Sequence, residues 1–549
     1  MSLSRTLLLA LFLPAWLATA CGDSRRTLPP GATAPLFSDL GDHHFAVTTR
    51  EPLAQRYFDQ GLVLAYGFNH AEAARSFREA QRLDPGCAAC FWGEALVLGP
   101  NINRAMDPAD APRAWQALEE ARRAAERAAP LERALVAALA ARYAAEPPAD
   151  RAPLDRAYAE AMRAVAAAHP DHPDALTLFA EALLDTMPWD YYGADGSPKP
   201  EAVEATAALE RALALDPHHP GALHFTIHAL EAHAPERAEA VADRLRGLVP
   251  GAGHLVHMPS HIYLRVGRYH EASLVNQEAA AADESYINQC RSQGFYPSNY
   301  YPHNVDFLLA SASFEGRSGL ALDTARKLRR MTPPEVVAEF PNVEEFMPRY
   351  WFALARFGRW QTLLAEPAPA QGLPYLEGAW HFARGLALAA TGRGEEARQT
   401  LDALRRSLRG FEGTEQVFLS GATPGQLLAL AERVLAARIA SESGTSDEAI
   451  AALREAVALQ DALPYSEPPP FPLPVRDALG QALLDAGRTV EAEAVFREQL
   501  AHTPKSGWTL RGLVLSLRAQ EREGEAREAS ERFAEAWRRA DVELERAVF

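Results

Sequence analysis

Six histidines carry the spacing of a metal site. His224 and His228 stand four apart, and His254, His257 and His261 stand three and then four apart. On an α-helix those intervals place side chains on one face. His303 follows, and the whole segment His218–His303 holds ten of the chain's seventeen histidines. Imidazoles four apart on one helix can chelate a metal ion, with further ligands supplied by an adjacent helix. Imidazole suits transition metals, copper and zinc foremost, over magnesium or calcium. Glu231 lies one turn beyond His228, and Asp306 lies three residues beyond His303. Either carboxylate is a candidate ligand, a partner that fixes an imidazole tautomer, or a general base for metal-bound water.

Such chemistry needs a scaffold that brings separate helices together. The chain has 549 residues, 48% of them hydrophobic, with alanine abundant and apolar residues recurring at three and four. That is an all-α composition, ample for a long array. An internal repeat begins after residue 50. Ala54–Pro85 reads AQRYFDQGLVLAYGFNHAEAARSFREAQRLDP. Small residues at Gly61 and Ala73 let two helices approach closely, Phe77 and Ala80 seal the next pair, and Pro85 ends the second helix. The same residue types return at Gly267, Tyr269 and Ala272, at Gly385, Gly392 and Ala397, and at Gly480, Gly487, Ala492, Phe496 and Pro504.

This pattern resembles the tetratricopeptide repeat (TPR), a helix–turn–helix unit of about thirty-four residues. The resemblance implies a right-handed α-solenoid. Residues 51–364 form an expected first lobe and 376–549 a second, with a break at 365–375. It also implies that the second, fifth and ninth places of each first helix face a concave groove. Counting back from Gly267 and Ala272, these fall on His254, His257 and His261. Counting forward from Pro217, the fifth and ninth places are His224 and His228, with Glu231 a turn further. Counting back from Gly316, His303 and Asp306 take the second and fifth. Six imidazoles are therefore expected on one inner surface, with His218, His219, His233 and His270 on turns or outer faces. Three irregular segments, Met187–Lys199, Ser292–Pro302 and Tyr465–Pro474, are expected to fold over a surface of the array.

The formal charge of −17 argues against nucleic acid as a main partner. At the start of the chain, Arg5 precedes the apolar run Leu7–Leu17 and then Ala18-Thr19-Ala20-Cys21. This resembles a bacterial lipobox. It implies a signal peptide over residues 1–20, a lipidated Cys21, a tether over 21–50 that includes His43-His44, and lipid anchorage to the bacterial cell envelope on a periplasmic or extracellular face. Cys87 and Cys90 are open to four readings: a tight disulfide, a redox pair, a soft-metal site, or two small buried residues opening a helix.

FNHAEAARSF, CAACFWG with GPNIN, GHLVHMPSHIYLRVGRY and YYPHN together resemble bacterial exported TPR proteins. The resemblance implies a fold and no activity. Three functions fit the residues: a groove holding a histidine-rich transition-metal site, a metal-free groove binding a segment of another envelope protein, and a metalloenzyme on the same scaffold. No nucleophile elbow, phosphate-binding glycine loop or HExxH motif is present.

Overall fold

Proline and glycine punctuate the array. Proline occupies the first turn of the helices Pro52–Tyr66, Pro173–Leu184, Pro200–Leu215 and Pro220–Leu230, where its missing N–H is no loss. Glycine with φ of 76° at Gly267 and 73° at Gly487 turns the chain from one helix of a pair to the next, a left-handed conformation that a β-carbon disfavours. The computed structural model describes residues 26–29, 31–193, 195–290 and 294–548. The proposed signal peptide and Cys21 lie outside the described residues.

Helices pack on their sequence neighbours as antiparallel pairs: Pro52–Tyr66 with His70–Leu83, Pro374–Ala390 with Gly394–Arg409, Val475–Asp485 with Thr489–His502. The architecture is a TPR-like α-solenoid. Among the described residues the strands are Arg26–Thr27 and Leu36–Phe37, paired antiparallel. The repeat's small positions have a direct steric cause. A β-carbon on Gly61 would stand 2.7 Å from the Phe77 ring, and one on Gly93 would stand 2.5 Å from it. Phe77 thus fills the space that two glycines leave open. Phe496 does the same between Gly480 and Gly512, at 2.5 and 2.2 Å.

The buried apolar residues form two large clusters, one running from Ala34 to Tyr300 and the other from Ala280 to Ala547. The core therefore divides near residue 300, and the interhelical stretch 366–373 lies within the second cluster.

Residues 31–50 differ from a free tether. They lie along the first lobe, because its side chains take up their backbone groups. The Phe37 amide donates to Gln60 at 2.8 Å, the Val47 amide to Gln55 at 2.9 Å and the Thr48 amide to Glu132 at 3.0 Å. Cys87 and Cys90 are buried and joined by a disulfide where the Ala88–Val97 helix opens.

Candidate metal centre

The Pro220–Leu230 helix is buried along its whole length and carries His224 and His228 one turn apart. The next three histidines do not share one helix. Gly253–His257 carries His254 and His257, and Pro259–Arg265 carries His261. Pro259 cannot donate a backbone hydrogen bond, and the helical hydrogen bonding is interrupted at Met258, whose backbone stays right-handed. His303 enters on Tyr301–Phe314.

These elements sort the six imidazoles into two groups of three. His224, His228 and His254 each offer a ring nitrogen within 4.8 Å of the others, and so do His257, His261 and His303. Ring centroids within the first group lie 4.7, 5.0 and 6.3 Å apart, and within the second 4.9, 5.0 and 5.6 Å. Between the groups, His228 and His261 are 5.9 Å apart, and His254 and His257 are 5.8 Å apart. The two sets are contiguous. Each is backed by a phenylalanine. Phe68 packs 4.7 Å from His224, and Phe307 packs 4.6 and 4.5 Å from His257 and His261.

The hydrogen bonds fix which nitrogen is free. His224 Nδ1 donates to the Tyr66 carbonyl at 2.5 Å, and His228 Nδ1 to Glu231 Oε1 at 3.0 Å. His257 Nδ1 donates to Asn276 Oδ1 at 2.7 Å; the Asn276 amide nitrogen is occupied by the Ala272 carbonyl, which sets its orientation. His261 Nδ1 lies against Glu231 Oε2. Three imidazoles, His224, His228 and His257, thus hold their proton on Nδ1 and leave Nε2 a bare lone pair. Those nitrogens converge on other imidazoles. His257 Nε2 lies at hydrogen-bonding distance from His261 Nε2, 3.0 Å, and His224 Nε2 from His254 Nε2, 3.2 Å, while His228 Nε2 is buried without a partner among the described residues. A buried nitrogen without a partner carries the cost of its lost hydration. A cation at these nitrogens removes that penalty. An imidazole that gives its second N–H to a carbonyl, amide or carboxylate is the usual arrangement of a metal ligand.

Burial depresses the basicity of these rings. It holds His224, His254 and His257 well below the ordinary histidine range, with neighbouring imidazoles adding to the effect. His228 is lowered by burial in spite of Glu231, and His303, half-buried at the edge, falls to about 3. Burial alone would raise the Glu231 carboxyl, but the imidazoles of His261 and His228 reverse the sign and hold it below the carboxylate range. Five of the rings, those of His224, His228, His254, His257 and His303, are thereby neutral at neutral pH beside an ionised Glu231.

Both groups open on one cavity of about 340 Å³, which His228, His254, His261 and His303 line together. All three irregular segments reach it, through Trp189, through Phe295 and Tyr300, and through Tyr465 and Glu467. Trp189 has φ of 61°, a costly conformation for a bulky residue, and sets its ring edge 5.2 Å from His228. Asp306 lines the cavity, but its carboxylate pairs with buried Arg349 at 3.1 Å. Glu231 is the carboxylate that meets the imidazoles.

Two further groups have ligand-type side chains. In the first, Asp174 Oδ1 accepts from His43 Nε2 at 2.9 Å, His219 Nε2 at 3.2 Å and the Tyr66 hydroxyl at 2.9 Å. His219 Nδ1 already accepts the Ala222 amide at 3.1 Å, so both its nitrogens are used. His219 stands at the expected turn, yet it is fully buried, as the N-cap of the helix that carries His224 and His228. The second group brings Glu467 from the second lobe to 3.7 Å from His261 Nδ1, beside Glu231. His233 stacks on Tyr192 at 4.3 Å, and His270 pairs with Glu315 at 2.9 Å, both away from the cavity.

Sequence spacing found the six imidazoles and Glu231. It missed Tyr66, Phe68, Asn276, Phe307 and Glu467. Phe68 and Asn69 sit inside the conspicuous FNHAEAARSF phrase, where Phe68 has φ of 55°. Asn276 had no such signal.

No family model and no curated protein matches this chain. Among solved structures, it is similar to the human IFIT1 dimer with m7Gppp-AAAA, at 12% identity over 89% of this chain and 91% of that one, with a TM-score of 0.33. It is also similar to yeast Tom70, at 12% identity over 86% and 90%, with a TM-score of 0.27. Likenesses at this level carry no argument about activity or partners.

Proposed function

We propose that the protein is a transition-metal-binding α-solenoid whose two trihistidine groups form a paired metal centre. One observation carries the reading. Three of the six imidazoles hold Nδ1–H on a fixed acceptor and turn Nε2 inward, towards another imidazole nitrogen or into buried space. A groove built to bind a peptide through imidazole would expose those nitrogens to the peptide; here His224, His254 and His257 are buried against one another. Three neutral nitrogen ligands per ion leave a coordination position open, and both positions face the shared cavity. The lipobox-like Ala18-Thr19-Ala20-Cys21 supports a further part of the proposal, a chain exported and anchored through Cys21 to the periplasmic or extracellular face of the envelope; mass spectrometry of the mature N-terminus checks the lipid independently.

The test is elemental analysis of the full chain, purified without a histidine tag, stripped with chelator and reloaded. Two ions per chain are expected for the parent. His224→Ala and His257→Ala should each retain one, and the double variant none. A parent that holds no ion, or single variants that both keep two, would end the metal reading and leave the protein-binding scaffold in its place.

A further inference from the structure

We propose that the paired centre is a dicopper site that binds dioxygen between its two ions, an inference that rests on the metal reading above. Charge selects the metal. All six ligands are neutral imidazoles, and the carboxylate hydrogen-bonded to them, Glu231, contributes one negative charge shared by both groups. Burying charge costs more steeply as the charge grows. Two divalent ions would bring four positive charges to this pocket, whereas two cuprous ions bring two. Imidazole suits copper, and a cuprous ion is content with three such ligands. Zinc also sits on three histidines, with water as its fourth ligand, so the buried charge and not the ligand count separates the two metals.

Geometry selects the second reactant. Rings of the two groups approach as closely as rings within a group, 5.8 and 5.9 Å against 6.3 Å for His228 and His254. Metal pairs that act together on one small molecule stand about 3.5–4 Å apart. The cavity touches two imidazoles of each group, so a diatomic molecule entering past Trp189 meets both open positions at once. Phe68 packs against His224 and Phe307 against His257, the two imidazoles that do not line the cavity.

The electrons balance without any further reactant. Each cuprous ion gives one electron; dioxygen takes two, its O–O bond order falls from two to one, and it becomes bridging peroxide. Two cupric ions and one peroxide carry the same net charge, plus two, as two cuprous ions and free dioxygen. Neither a proton nor a counter-ion has to enter a pocket that has little means of supplying one.

The chain is loaded with cuprous ion under anaerobic conditions, its copper content is measured, and it is then exposed to dioxygen. Two coppers per chain and uptake of one dioxygen per two coppers are expected. A charge-transfer absorption band should appear, with no electron paramagnetic resonance signal, because the two cupric spins couple. Acid should release one hydrogen peroxide per two coppers, two protons joining each peroxide. His257→Ala should hold one copper and take up no dioxygen, while His270→Ala, away from the cavity, should behave as the parent. Two bound coppers without uptake would overturn the dioxygen proposal and leave the metal centre standing. So would a paramagnetic signal that accounts for both coppers. Fewer than two coppers bound would overturn the paired centre itself.

Discussion

Two groups of buried histidine meet on the Pro220–Leu230 helix and differ in where their ring nitrogens point. At its N-terminus, His219 spends one nitrogen on the Ala222 amide and the other on Asp174, which also takes His43 and Tyr66. Further along, His224 and His228 spend only Nδ1 on the protein and aim Nε2 at other imidazoles or at buried space. Residue type and burial are the same in both. Only the hydrogen bonds separate a brace, complete within the chain, from a ligand set that needs an ion. Tyr66 serves both, its hydroxyl on Asp174 and its carbonyl on His224, so the brace also orients a ligand.

The largest expected effect comes from removing the hub of the brace. Asp174→Ala leaves three buried donors without their acceptor, which costs about 3–5 kcal/mol by the usual penalty for breaking a buried polar pair. His257→Ala in the metal-free chain should cost less, because it removes a ring whose partners are neutral, Asn276 Oδ1 and His261 Nε2, and strands no buried charge. Hydrogen-exchange protection of the Pro220–Leu230 and Tyr269–Cys290 helices reads both. After metal loading the order should reverse, since the truncated site can no longer be stabilised by its ion. If His257→Ala is the costlier change without metal, the two groups are alike and the distinction fails.

A finer test uses the carboxylate that serves both ligand groups. Glu231 takes His228 on one oxygen and His261 on the other. Replacing an outer partner of this kind weakens metal affinity by about 10–100-fold. Glu231→Gln should weaken both sites together, whereas Asn276→Ala, which frees only His257, should weaken one. Metal titrations resolve the two sites; equal loss at both from Asn276→Ala would show that Glu231 holds no special place between them.

The repeat was legible because its cause is local: Gly61, Phe77 and Gly93 interlock by size, and that constraint writes itself into the chain at fixed offsets. The six imidazoles were legible for the same reason, since helical spacing is a local property. Their division into two threes was not. Register along a single helix placed His254 beside His257 and His261, but the packing of the Pro220–Leu230 helix brings His224 and His228 against His254 and gives it to the other group. Glu467 and His43 reach the site from distant parts of the sequence, and nothing near either residue marks its destination.

The smallest effect is a pH dependence that the brace should show by itself. Burial lowers the basicity of His43, but the Asp174 carboxylate more than offsets it, so the His43 pKa lies above the ordinary 6.5. Asp174, bonded to His219 and His43, is held far below the carboxylate range against its own burial. The signs give separate windows. A histidine whose folded pKa is raised contributes stability that is complete below 6.5 and is lost as pH rises through the folded value. The Asp174 contribution persists throughout that range and disappears only in strong acid. Exchange of the amides over residues 43–49 should therefore quicken, beyond its intrinsic base catalysis, as pH rises above 6.5. His43→Gln should flatten that response without changing the number of ions bound. A response that survives the substitution would show that the His43–Asp174 pair is not its source.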